Sequence, residues 1–231
     1  MGVGMSFGIT AETGNNIQTD GLVLYADAAY KKSYPGSGTS VTDLAGGKTG
    51  TLTNVTTDGE SFTFDANGEN IDFASHADYN FGDGGFTFEY WLYPTTMNTT
   101  YRGVIDMRDG SELNAFSVFL STNGGYTYYV WINNARIAYS NTTWSTNEWQ
   151  HGACTWDGST MKLWHNLQDV TYGGSSYSTT QVQSRILIGK HHSNASYRFD
   201  GNIGPIKVYN RGLSESELLQ NYNAQKERFG G

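Results

Sequence analysis

Residues 199–231 constrain this chain more than any other stretch. Phe199, Asp200 and Gly201 open with a glycine turn, after which Ile206 and Val208 alternate as they do in a strand with one buried face. Ser214 then supplies an N-cap, and Glu217 three residues on completes a capping box ahead of Leu218 and Leu219. Leu218, Tyr222 and Phe229 fall on one helical face before Gly230 and Gly231 close the chain. A helix this short gains its stability from tertiary packing, so its apolar face must lie on a sheet.

The remainder supplies that sheet. Residues 51–55, 61–64 and 70–73 read as strands, with the Phe62/Phe64 and Ile71/Phe73 alternations pointing one face inward. Residues 86–93 place Phe86, Phe88, Tyr90 and Leu92 on one face, and Thr87, Glu89, Trp91 and Tyr93 on the other. Both faces are largely apolar, which suits a central strand covered on both sides. Residues 101–107, 115–121, 126–132 and 136–139 read as a meander, with Asn123, Gly124 and Gly125 as one hairpin turn. Residues 149–155 and 160–165 flank Asp157-Gly158, a second hairpin signal, and residues 185–188 and 203–208 complete the set. The fold class expected is all-β, a sandwich of two antiparallel sheets with a short C-terminal helix. With 231 residues, 3 Pro and no charge block or Ser/Gly linker, the chain reads as one domain over residues 20–231 behind a polar, Gly-rich arm, residues 1–19.

The formal net charge of -8, from 14 basic and 22 acidic residues, speaks against nucleic acid or an anionic membrane as partner, since both require clustered Lys and Arg. No stretch approaches the ~20 apolar residues of a membrane span. The single cysteine, Cys154, cannot form an internal disulfide and falls in a core strand as a small apolar residue. The first residues lack a basic region followed by an apolar one, so no export signal is read there.

Four stretches together resemble one family. The closing strand and helix, Phe199 to Leu218, are joined by Gly21-Leu22-Val23-Leu24-Tyr25-Ala26-Asp27-Ala28, by Phe86-Thr87-Phe88-Glu89-Tyr90-Trp91-Leu92-Tyr93-Pro94 and by Glu148-Trp149-Gln150-His151-Gly152-Ala153-Cys154-Thr155-Trp156-Asp157-Gly158. In this order they resemble the laminin G-like, concanavalin A-like jelly rolls of the lectin and glucanase type. That resemblance implies a jelly-roll sandwich, and leaves function open, because lectins, glycanases, adhesion modules and virion proteins share the fold. Residues 18–25 followed by Lys32-Ser33-Tyr34-Pro35-Gly36 further resemble the opening of jelly-roll proteins in tailed-phage virions. This implies a structural or decoration protein of head or tail, assembled in the host cytoplasm and released by lysis. Its partners would be other virion proteins, further copies of itself and a host-surface glycan. An extracellular, calcium-dependent lectin is the alternative, and a glycoside hydrolase the third reading.

The residues weigh against hydrolysis. A glycanase needs two carboxylates facing one sugar bond, and the Glu-x-Asp-x-x-Glu pattern of the glucanase relatives is not found. Glu69 and Asp72 are three apart, so on a strand they face opposite sides, and Glu89 stands alone on its strand. No enzymatic residue is therefore assigned. His191 and His192, being adjacent, are expected to point apart and so to share no metal. Calcium is the one cofactor the resemblance brings in, and Asp106, Asp109 and Glu112 cluster hard oxygen ligands in one loop. The 33 aromatic residues, 6 Trp, 16 Tyr and 11 Phe, divide between a thick core and exposed faces. Tyr126, Tyr128, Tyr129, Trp131, Tyr139 and Trp144 are the candidates to line a glycan or partner platform.

Overall fold

The computed structural model describes residues 16–98, 100–108, 115–132, 135–174, 184–194 and 196–231. Its strands, in chain order, are β1 (Leu22–Ala26), β2 (Ser40–Thr42), β3 (Thr49–Thr53), β4 (Thr56–Thr57), β5 (Phe62–Phe64), β6 (Asn70–Phe73), β7 (Phe86–Pro94) and β8 (Arg102–Asp106). They continue with β9 (Phe116–Leu120), β10 (Tyr128–Ile132), β11 (Ala135–Ser140), β12 (Gln150–Trp156), β13 (Met161–His165), β14 (Gln168–Asp169), β15 (Ile186–Ile188) and β16 (Gly201–Tyr209). One helix, α1 (Glu215–Gln225), runs on into a 3-10 turn at Lys226–Phe229. Among the described residues no helix is long and apolar enough to cross a membrane.

The strands form two antiparallel sheets. The first runs β14-β13-β12-β7-β16-β5-β4, with β1 also paired to β16, and the second runs β11-β10-β9-β8-β15-β6-β3-β2. The expected elements are present, most of them within two residues of their expected ends. The short strands β2, β4 and β14 were not expected; each has two or three residues, too few for an alternation to register. Both hairpin signals close hairpins, β9 to β10 and β12 to β13.

The core lies between the sheets. Phe86, Phe88, Tyr90 and Leu92 of β7 enter it from one side, and Phe116, Val118 and Leu120 of β9 with Tyr128, Val130 and Ile132 of β10 from the other. The outer face of the first sheet is covered by α1 and the 3-10 turn after it. Trp91 of β7 stacks on Phe229 (4.7 Å between ring centroids) and on Tyr222 (5.1 Å). Gly204 of β16 lets those rings approach, since a Cβ there would lie 3.0 Å from Phe229 and 3.1 Å from Trp91. The capping box at Ser214 and Glu217 forms as its spacing predicts.

Charge is buried beneath the helix. Glu89 accepts hydrogen bonds from Lys207 Nζ (3.1 Å), His151 Nε2 (2.9 Å) and Asn221 Nδ2 (2.6 Å), and Glu89, Lys207, His151 and Asn221 are all fully buried. Burial alone would raise the carboxyl pKa, but Lys207 and then His151 and Asn221 outweigh it and hold Glu89 below its usual range. Asn221 Oδ1 also takes the backbone N–H of Gln18 (2.6 Å), and Tyr209 donates to the Gln18 carbonyl (3.0 Å). Residues 16–20 thus dock on α1 of their own domain, while residues 1–15 of the expected arm lie outside the described residues.

Three outcomes follow. Lys207→Met leaves Glu89 buried without its lysine partner and should cost about 3–5 kcal/mol, while Glu89→Gln/Lys207→Met should regain a large part of it, read from urea unfolding midpoints; an unchanged Lys207→Met midpoint would show that the pair is dispensable. Glu217 is held down to about 2 from the usual 4.5, chiefly by its hydrogen bonds from Arg211. A depressed carboxylate stabilises the fold above its unfolded pKa and loses that contribution as pH falls, so Glu217→Gln should be less stable at pH 7 and converge on the unsubstituted protein between about pH 5 and 2. Burial pushes the Cys154 thiol up to about 12. It should resist a thiol reagent in the folded protein and react once in denaturant, as measured by the release of a chromogenic disulfide's leaving group.

Candidate functional site

With the first sheet covered by α1, the second offers its outer face, and the described side chains there do not lie flat. Strand alternation turns Ser117 and Phe119 of β9, and Tyr129 and Trp131 of β10, away from the core. Gly103 of β8 pairs with Phe119 and leaves a gap in that layer. The loop after β15 fills it: a Cβ at Gly103 would lie 2.7–2.9 Å from the backbone of Lys190, His191 and Tyr197. The loop is closed on itself by His191 N–H to the Tyr197 carbonyl (2.8 Å) and Phe199 N–H to the Gly189 carbonyl (2.8 Å).

Between this loop and β9–β10 lies a cavity of about 380 Å3. Tyr101, Phe119, Trp131 and Tyr197 form its aromatic walls, and Arg108, His191, Ser193 and Asn194 bring polar groups to it. Tyr101 makes edge contacts with Phe119, Trp131 and Tyr197, at 5.3–5.6 Å between ring centroids, and His191 stacks on Phe119 (5.6 Å). The rings therefore fix one another, giving rigid apolar walls with polar groups at defined places, as small-molecule sites have. The Trp131 indole N–H has no hydrogen-bond partner among the described residues.

Asp106 anchors the floor. Its Oδ1 accepts from Arg108 N–H (3.1 Å) and Ser117 Oγ (3.1 Å), and its Oδ2 from His192 N–H (2.9 Å). Burial alone would raise its pKa, but the His192 hydrogen bond, then Arg108 and His191, outweigh it and keep the carboxyl below the usual range. His191 and His192 do not point apart as adjacent residues of an extended strand would. Their rings are 5.2 Å apart and a nitrogen of each lies 3.8 Å from Asp106 Oδ2. They sit in a loop rather than a strand, so the alternation argument does not apply. Asp106, His191 and His192 are the grouping of potential metal ligands among the described residues, with ligand atoms within 4.8 Å of one another. The Arg108 guanidinium stands against it, contacting His191 Nε2 and lying 3.7 Å from Asp106, so a cation already occupies this neighbourhood. Of the three residues expected to hold calcium, Asp106 carries the hydrogen bonds just described, while Asp109 and Glu112 lie outside the described residues.

The six aromatic candidates separate. Trp131 lines the cavity. Tyr129 lies behind it, fully buried, its hydroxyl on the Tyr126 carbonyl (2.7 Å), and burial first of all pushes its pKa up to about 12. Tyr126 and Tyr139 form a neighbouring surface patch with Tyr172, which is 63% exposed, and Arg136 lies over the rings of Tyr126, Tyr129 and Tyr139 at 5.5–5.8 Å. Tyr128 and Trp144 require correction. They are 0% and 3% exposed in the core between the sheets, where Tyr128 bonds the Tyr90 hydroxyl and packs against Trp144, so neither reaches a ligand. Tyr128 was one residue from the right register: it alternates with Tyr129 and Trp131, and period two puts those on the other face. Tyr101, Phe119, His191 and Tyr197 were not anticipated as site residues. The outward position of Phe119 on β9 was readable from alternation, whereas the loop folding over Gly103 was not.

Comparison with known proteins agrees with this architecture. No protein of curated function matches the sequence. Among solved structures, a Trypanosoma rangeli sialidase in complex with sialic acid superposes with a TM-score of 0.70 at 14% identity, over 96% of this chain and 35% of the sialidase. The chain thus spans about a third of the length of that enzyme. Domain 4 of AbnA, a GH43 extracellular arabinanase from Geobacillus stearothermophilus, in complex with arabinotriose, gives 0.64 at 15% identity, over 88% of this chain and 98% of that domain. The binding domain of Paraclostridial Mosquitocidal Protein 1 gives 0.62 at 16% identity, over 90% of this chain and 53% of that one. At such identities these likenesses speak to the fold. The model of Laminin_G_3, the concanavalin A-like lectin/glucanases superfamily, matches residues 65–219, well over half of the sequence, and the chain belongs to that family as a lectin-like jelly-roll domain.

Proposed function

We propose that this protein is a non-catalytic carbohydrate-binding module whose site is the aromatic cavity on the outer face of the second sheet. The observation that carries the reading is the cavity itself: about 380 Å3, walled by mutually braced rings and supplied with polar groups from one loop. Sugar rings present apolar C–H faces and a rim of hydroxyls, and such a mixed surface fits aromatic walls with fixed donors and acceptors. The arabinanase domain that superposes along almost its whole length carries arabinotriose, which supports sugar binding on this scaffold.

Hydrolysis is not favoured by the chemistry of the cavity. Its described lining residues include no carboxylate, whereas glycoside cleavage calls for a pair. Glu89 lies on the other sheet, fully buried and held by three donors.

A role in a tailed-phage virion is a second reading, carried by the resemblance of residues 18–36. Several of these residues have packing roles that account for their identity. Asp27 receives Arg228 at 2.7 and 3.0 Å, Tyr34 enters the core, and Gln18 ties α1 to β16. A sugar-binding module would serve a particle in holding a host surface, so the two readings share one site.

Trp131→Ala should weaken retention on a bound glycan about tenfold or more with little change in melting temperature. Tyr128→Ala should instead cost about 3 kcal/mol of stability, because it empties part of the core. A glycan array followed by calorimetry on the best ligand checks both; retention that survives Trp131→Ala intact would place the site elsewhere, and a blank array would remove the reading.

A further inference from the structure

The charged group that reaches the cavity is a guanidinium, and it is placed rather than loose. Arg108 is buried at the cavity floor and lies with its Nε 3.7 Å from Asp106 Oδ1, while one terminal nitrogen donates to His191 Nε2. On the other side of the ring the Ser193 backbone N–H donates to Nδ1 (3.2 Å), and the Ser193 hydroxyl lies at the same distance. The ring is held from its face by Phe119 at 5.6 Å. His191, held by Ser193 and Phe119, thus positions the guanidinium between the loop and the aromatic walls. The loop around it is basic as well. Lys190 and Arg198 flank the cavity residues, and Arg198 shares Asp200 with Arg102, which lies 2.6 Å from it. Among the described residues of β8 and this loop, the cations Arg102, Arg108, Lys190 and Arg198 face the carboxylates Asp106 and Asp200, within a chain whose net charge is -8. Four cations against two carboxylates give these described segments a formal positive surplus on an acidic protein, and such a surplus beside an aromatic cavity is suited to an anion.

We infer that the cavity recognises an acidic saccharide, one whose carboxylate pairs with Arg108 while its ring packs against Trp131 and Tyr101. This rests on the carbohydrate-binding reading above and adds to it the class of sugar. A guanidinium matches a carboxylate in plane and hydrogen-bond spacing, and such a charge-assisted pair is stronger than a neutral hydrogen bond.

The test varies charge on the ligand first, so that it does not depend on a variant folding. Titration calorimetry of the full chain would compare oligogalacturonate with its methyl ester, sialyllactose with lactose, and a sulfated oligosaccharide with its desulfated form. The carboxylated member should bind at least about tenfold more tightly than its uncharged counterpart, with the preference shrinking as salt is raised. Arg108→Gln should reduce that preference to near unity, with near-UV circular dichroism confirming the fold. Trp131→Ala should weaken acid and ester alike. Equal binding of acid and ester would overturn the acidic-sugar inference and leave the carbohydrate-binding reading in place. A preference for sulfate over carboxylate would overturn the assignment of the charged group. No binding by any sugar would overturn both.

Discussion

A single buried carboxylate holds the two ends of this chain to its middle. Glu89 sits on the central strand of the first sheet, and its three donors come from β16, β12 and α1. Asn221 then passes the connection to Gln18 and Tyr209, and so to the segment that precedes β1. A charge removed from water is costly unless every lone pair finds a donor, and here the donors are drawn from elements far apart in sequence. The arrangement is satisfied only when β7, β12, β16 and α1 are all in register. It therefore specifies the closing geometry of the sandwich, beyond what the surrounding apolar surface would select.

That closure also decides where a ligand can bind. Trp91, Tyr222 and Phe229 fill the space between the first sheet and the helix, so this face is given over to packing. On the second sheet the same alternation that feeds the core turns Phe119 and Trp131 to the far side, where no helix among the described residues covers them. A loop does the covering instead, and only in part. Gly103 admits its backbone, Asp106 holds it through the His192 N–H, and the space left beside it is the cavity.

The buried polar groups beneath the cavity have two duties. Asp106 compensates Arg108 and fastens the loop, which keeps the cavity open to one shape rather than collapsed on its apolar walls. Arg108 in turn is oriented by Asp106 and His191. In a site of this kind specificity comes from a few fixed polar groups, while the rings supply contact area.

Much of the scaffold was legible from residues near one another in the chain. The period of two set β7, β9, β10 and β12, the Asp157-Gly158 and Asn123-Gly124-Gly125 turns set their hairpins, and Ser214 with Glu217 set the start of the helix, because each depends on local geometry alone. The order of these motifs was enough to identify the jelly roll. The site was not legible in the same way. Aromatic residues crowd β10 and β11, but a count of rings does not say which face is wet, so the sequence groups Tyr128 and Trp144 with Trp131 although they belong to the core. Tyr101, Arg108, Phe119, His191 and Tyr197 come from three separate segments, and nothing local marks them as neighbours. Sequence determined the strands, the turns and the fold they build. Tertiary structure alone decided which sheet face the helix would cover, and therefore which aromatic residues remained to meet a ligand, because that choice is made by contacts between residues more than a hundred positions apart, such as Glu89 with Lys207 and Asn221.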